Sequence, residues 1–128
     1  MDNVTAELAE YFDRNTGVGV LSTADVQGRV NSAIYARPHI QDDGTAAFVM
    51  RRRRTRANLE QNPHACYLFR TEGPGHTGRR LALTLVRTDD DPAVVQSMRR
   101  RQRPDTEDDP DRIVGYFRID EVRPLVGD

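Results

Sequence analysis

The chain has 128 residues, with 19 basic against 20 acidic side chains, a net charge of −1 and 37% hydrophobic content, which suits one domain over residues 1–128 with a single small core. All 19 basic residues are arginine, so covalent cofactor attachment through lysine is excluded, and the near-neutral balance argues against nucleic acid as a partner. Cys66 is the only cysteine, which excludes an internal disulfide and a multi-cysteine metal site, and no apolar run reaches membrane-spanning length.

Residues 3 to 13 place Val4, Leu8, Tyr11 and Phe12 at helical spacing, with Asn3 or Thr5 as the cap. No export-type leader, basic and then apolar, precedes them, so a cytoplasmic protein with no membrane partner is expected. Residues 17–23 then read as a strand, 25–28 as a turn and 29–37 as its hairpin partner ending at Pro38. A second turn, Gln41-Asp42-Asp43-Gly44, leads into a strand over 45–50 that is expected to run beside the segment Asn31 to Ala36.

Thr55 is the expected N-cap of a short helix ended by Asn62-Pro63, after which Ala65 to Arg70 forms a compact strand. The strand Arg80 to Arg87 alternates Leu81, Leu83 and Leu85 onto one face. Asp91-Pro92 opens a helix that runs to Arg103, the acidic stretch 104–111 is a loop, and a last strand starts at Arg112. Six strands and two to three helices without a βαβ rhythm give a mainly β, α+β fold: an antiparallel barrel with helices at its ends.

His39, His64 and His76 share no metal-ligand spacing, so no metal site is expected, and neither His39 nor His64 has a carboxylate visible in sequence that would orient it as a catalytic base. Cys66, between apolar neighbours, reads as a core residue. The pattern identifies no protein acid or base, and the catalytic residues are unknown at this level.

Chemistry concentrates in Met50-Arg51-Arg52-Arg53-Arg54-Thr55-Arg56-Ala57-Asn58, where five arginines meet the junction of a strand and a helix. Like charges at that density call for a compensating anion, and the first N–H groups of a helix add donors aimed at the same place. A solvated turn and a nucleic-acid contact are the competing readings of an arginine run. In Asn31-Ser32-Ala33-Ile34 small and polar residues alternate, which would let a flat ring approach the backbone.

The strand order up to residue 70, the basic turn and the segment Arg54-Thr55-Arg56-Ala57-Asn58-Leu59-Glu60-Gln61-Asn62-Pro63 resemble the FMN-binding split barrel of the pyridoxamine 5'-phosphate oxidase-like family, over roughly residues 5 to 90. The resemblance implies a six-stranded antiparallel split β-barrel of Greek-key type. It implies FMN as cofactor, its phosphate held by Arg54, Thr55 and Arg56 with Arg51, Arg53 and Asn58 as neighbours, and its ring along Ser32, Ala33, Ile34, Val49 and Met50. It further implies a homodimer with the flavin at the subunit interface, and hydride or electron transfer between a reduced donor and a small acceptor. The deazaflavin F420 is the alternative cofactor, and a non-catalytic flavin-binding or electron-carrying module is the alternative function. The chain closes with Arg118-Ile119-Asp120-Glu121-Val122-Arg123-Pro124-Leu125, not the longer substrate-gripping tail of the oxidases proper, so that particular activity is not implied.

Overall fold

The computed structural model describes residues 2–51, 53–98 and 111–127. The elements are α1 (Asn3–Arg14), β1 (Gly17–Ala24), β2 (Val30–Ile34), β3 (His39–Ile40), β4 (Ala46–Arg51), α2 (Arg54–Gln61), β5 (His64–Thr71), β6 (Gly78–Asp89), α3 (Pro92–Met98) and β7 (Arg112–Pro124). One antiparallel sheet of seven strands runs in the order β2-β1-β5-β6-β7-β4-β3. The seventh strand, absent from the sequence reading, arises because the segment 29–37 stops pairing at Ile34 and the chain re-enters the sheet as the two-residue β3. The parts of the expected third helix and of the acidic loop that fall within 99–110 lie outside the described residues.

The sheet curls on itself. Phe48 on β4 and Tyr67 on β5 are three strand spacings apart in sheet order, roughly 14 Å if the sheet were flat. Their ring centroids are 4.9 Å apart, so the two strands face each other across a filled interior. Phe117 meets Phe48 at 5.6 Å and Phe12 of α1 meets Phe69 at 5.4 Å, which closes the core with edge-to-face aromatic contacts. Leu21, Met50, Leu59, Leu81, Leu83 and Ile113 complete it. A second cluster, Ala47, Val95, Val114 and Tyr116, forms where α3 covers β4 and β7 from outside.

Local chemistry explains the element boundaries. Asp2, not Asn3 or Thr5, caps α1 by accepting from the Thr5 N–H at 2.7 Å. At the other end the Arg37 guanidinium donates to the carbonyls of Phe12 and Asn15 at 2.7 and 2.8 Å, satisfying groups that the helix leaves open. The turn before β4 uses Gly44 at φ 89, with the Asp43 carboxylate accepting from both the N–H and the hydroxyl of Thr45. Gly19 serves a different purpose: a Cβ there would lie 1.8 Å from the Tyr67 hydroxyl, so only glycine lets Tyr67 fill the barrel and donate to the Tyr35 carbonyl at 3.1 Å.

The strand expected beside residues 45–50 is not there: β2 pairs with β1 alone, and β4 pairs with β3 and β7. Hairpin closure through the Asp25–Gly28 turn brings β2 onto β1, which leaves β2 at one end of the sheet and β3 at the other. Cys66 is also displaced from its expected place. It is half-buried on the outer face, paired with Ser22, because its strand neighbours Tyr67 and Phe69 take the inward positions with Ala65 packed beside them.

Candidate anion and cofactor site

The two ends of the sheet leave a seam, and the first turn of α2 lies across it. Helix α2 leaves β4 at the arginine run and packs on β1 and β2. The Asn58 amide donates to Thr23 Oγ1 at 3.1 Å, the Asn31 amide reaches Thr55 Oγ1 at 3.5 Å, and the Val26 N–H donates to Gln61 Oε1 at 3.2 Å. Tyr35, just past β2, packs on Phe48 of β4 at 6.4 Å, and its phenol is influenced by the Thr55 hydroxyl. Burial pushes the Tyr35 phenol above its ordinary value, and the Thr55 contact pulls it partly back. β1, β2 and α2 are therefore tied by a small, partly buried set of polar contacts, and Tyr35 adds a ring contact to β4.

Thr55 is not the N-cap. Arg53, with extended backbone at φ −121 and ψ −164, takes that position without a side-chain cap, and Thr55 is a buried residue inside the first turn whose hydroxyl faces Asn31. The first intrahelical bond is Ala57 N–H to Arg53 C=O at 3.0 Å, so the N–H groups of 54, 55 and 56 have no intrahelical acceptor. No carboxylate stands in that turn. The helix thus presents the positive end of its dipole without an internal counter-charge.

The arginines divide by environment. Arg53 and Arg54 are exposed beside the helix start, and Arg51 is half-buried at the end of β4. Arg56 is mostly buried, and its Nη1 has no hydrogen-bond partner among the described residues. A buried guanidinium nitrogen without an acceptor is costly, and an anion at the helix start would relieve it. Asn58, expected as a phosphate neighbour, spends its amide on Thr23 and acts as a structural tie.

The residues expected along a ring are only partly brought together. Ser32 and Ile34 are exposed on the outer face of β2, Ile34 with 72% of its surface accessible, while Ala33 is half-buried opposite Leu21. On β4, Met50 points into the core and Val49 packs on the outer cluster beneath α3. Their side chains face away from Ser32 and Ile34, so these two positions can offer a ligand at the seam little beyond their backbone. Thr23 was missed in the sequence, and Asn31 and Tyr35, although inside the segment singled out there, were not counted among the site residues. The available signal was parity, since 31, 33 and 35 alternate inward and two of them carry polar groups.

The outer face of β2, β1, β5 and β6 is laid out by register. Val20 pairs with both Ile34 and Leu68, and Ser22 with both Ser32 and Cys66. Val18, Val30 and Leu68 are exposed on the same face. Farther across it, Thr84 Oγ1 donates to Asp120 Oδ2 at 2.5 Å, and His64 Nδ1 lies 3.2 Å from the same hydroxyl. An ionised carboxylate only accepts, so the Thr84 proton goes to Asp120, and Thr84 accepts from His64 Nδ1–H. His64 therefore has an orienting carboxylate after all, reached through a hydroxyl.

The curled sheet with its helix-bridged seam has a split-barrel fold, the one also adopted by an FMN-binding protein and by candidate pyridoxamine 5'-phosphate oxidases of known structure. It superposes on an FMN-binding protein from Syntrophomonas wolfei subsp. wolfei with a TM-score of 0.77 at 18% identity, covering 97% of this chain and 90% of that one. An F420 reductase gives 0.63 at 16% identity over 89% of this chain and 94% of its own. A heme-binding protein from Mycobacterium smegmatis gives 0.66 at 18% identity over 99% of this chain and 56% of its own. Neither a protein-family model nor a curated protein sequence matches the chain. At these identities the likeness defines the fold, and one fold serves several cofactors.

Proposed function

We propose that this protein is an FMN-binding flavoprotein that passes hydride or electrons between a reduced donor and a small acceptor. The observation that carries the reading is the first turn of α2: three N–H groups without intrahelical acceptors, no carboxylate, Arg53, Arg54 and Arg56 in or next to that turn, and an Arg56 Nη1 without a hydrogen-bond partner among the described residues. That donor set suits a terminal phosphate, which accepts several charge-assisted hydrogen bonds at once. Ser32 and Ile34, outward on the terminal strand β2, supply a small and an apolar side chain that a flat ring could lie against.

In this reading the bound flavin supplies the redox chemistry, and the chain binds and orients it. Arg53, Arg54 and Arg56 hold the phosphate. The Asn31–Thr55–Tyr35 network fixes the distance between the phosphate end and β2. We assign a homodimer with the flavin between subunits, supported by the exposed Val18, Val30, Ile34 and Leu68 on one face, which a second copy would cover. No helix among the described residues is long and apolar enough to cross a membrane, and a cytoplasmic setting completes the proposal.

Titrating FMN into cofactor-free protein and following the quenching of flavin fluorescence tests the binding claim, with about one flavin per chain expected. Tighter binding of F420 than of FMN would transfer the assignment to the deazaflavin, the cofactor of one fold neighbour. Oxidation of NADH or NADPH by the loaded protein tests turnover. Saturable binding without turnover on any acceptor tried would make the chain a carrier.

A further inference from the structure

We infer that the cleft between the start of α1, the turn at 43–45 and residues 118–122 of β7 binds a small protonated amine with a short apolar body. None of its lining residues belongs to α2 or β2, so it is distinct from the anion site described above. The cleft has a volume of about 490 Å³, within the range of roughly 300–1,000 Å³ in which small-molecule sites fall. Leu8 and Ile119 form its buried apolar side, continuous with the main core. Val4 and Val122 also line it, with 67% and 40% of their surfaces accessible, so folding leaves apolar surface uncovered there. The remaining charged lining is Asp2, Asp43, Asp120 and Glu121, with Arg118 the one arginine among the lining residues.

Charge complementarity selects the ligand. Asp120 is committed: it accepts from Thr84 Oγ1 at 2.5 Å and from Arg118 Nε at 2.6 Å, which also occupies the one lining cation. Asp43 keeps Oδ1 on Thr45, while its Oδ2 lies 3.3 Å from Arg87 Nη2, and Glu121 Oε1 lies 3.7 Å from Arg123 Nε. Both of these carboxylates are more than half exposed, and exposed pairs at such distances contribute little, so either acid can turn to a ligand. The positive end of α1 borders the cleft and by itself favours an anion, but Asp2 already stands there, accepting from the Thr5 N–H at 2.7 Å. An incoming anion would therefore meet carboxylates and no uncommitted arginine in the lining. A metal ion fits poorly, because no group of three ligating side chains converges among the described residues. An alkylammonium matches both parts of the cleft: its N–H donors meet the acids, and its chain covers Val4 and Val122.

The test titrates hexylammonium, hexanol and hexanoate into the full chain at neutral pH and constant ionic strength, and follows backbone N–H resonances. Hexylammonium is expected to shift the Thr5, Gly44 and Glu121 signals saturably, hexanol to bind more weakly, and hexanoate not to bind. Glu121→Gln should weaken hexylammonium binding by roughly two- to fivefold, the scale of one exposed charge. Val4→Trp fills the cleft from an exposed helix position and should abolish the shifts. Both positions are exposed, so the fold survives each change. No saturable shift from hexylammonium at high millimolar concentration would overturn the inference. Hexanol or hexanoate binding as tightly as the amine, unchanged affinity in Glu121→Gln, or shifts that persist in Val4→Trp would overturn it as well.

Discussion

Asn58 on α2 and Thr23 on β1 are joined by a buried hydrogen bond of 3.1 Å that anchors the helix over the seam of the barrel. Replacing Thr23 with valine keeps the shape and removes the acceptor, which leaves the Asn58 amide buried and unpaired. A loss of about 1–3 kcal/mol in urea-unfolding free energy is expected, with Thr23→Ser close to wild type. Equal stability of Thr23→Val and wild type would show that the bond contributes nothing.

Gly19 yields a sharper steric prediction. With a Cβ only 1.8 Å from the Tyr67 hydroxyl and 2.4 Å from Cζ, Gly19→Ala forces Tyr67 out of its place and should cost about 1–3 kcal/mol. Tyr67→Phe in the same chain should not rescue it, because the ring carbon remains in the way. Thermal denaturation of the single and double variants checks both statements.

How far the sequence reveals this molecule differs from element to element. β1, β4, β5 and β6 were legible because alternating apolar residues or short apolar runs end at turn residues, and α3 was legible because Asp91-Pro92 opens it. β3 was not, since a two-residue strand has no period to detect. The pairing of β2 with β1 was legible as a hairpin, but the second neighbour expected for β2, the strand over 45–50, was misjudged because neighbours in a curled sheet are set by closure of the whole barrel. Thr55 looked like a cap on residue type alone, yet the cap falls two residues earlier, at Arg53. The arginine run was visible as a charge cluster, but which of its members is buried depends on how α2 packs on β1 and β2. The relay from His64 to Asp120 needs β5, β6 and β7 side by side, and no local pattern encodes that.

Stability should fall at acid pH for a reason that can be located. Asp120 is held below the ordinary carboxylate value of 3.8 chiefly by the Thr84 hydroxyl and then by the Arg118 side chain, and Asp43 is held low chiefly by the Thr45 hydroxyl and N–H. A carboxylate whose folded-state pKa lies below its unfolded value stabilises the fold above the unfolded value, and that contribution disappears as pH falls through the folded one. Urea midpoints should therefore be steady from pH 7 to about 5 and decline below about 4, with a shallower decline in Asp120→Asn. A variant that declines as steeply as wild type would remove Asp120 from the explanation.

Charge at the helix start should act on the phosphate and not on the ring. Arg53→Ala combined with Arg54→Ala is expected to weaken FMN binding by about ten- to a hundredfold, the scale of one or two charge-assisted hydrogen bonds, and to leave riboflavin binding within about twofold. The salt dependence of FMN binding should flatten in the same variant. A parallel loss for both ligands would place the arginines in a structural role.

The visible absorption spectrum of the purified protein, with mass analysis of what it releases on denaturation, bears most directly on the central claim that the α2 start grips a mononucleotide phosphate. A flavin spectrum with FMN released at about one equivalent per chain, or recovered on adding FMN at low salt, is the expected result. A colourless protein that takes up no FMN at low ionic strength would contradict it.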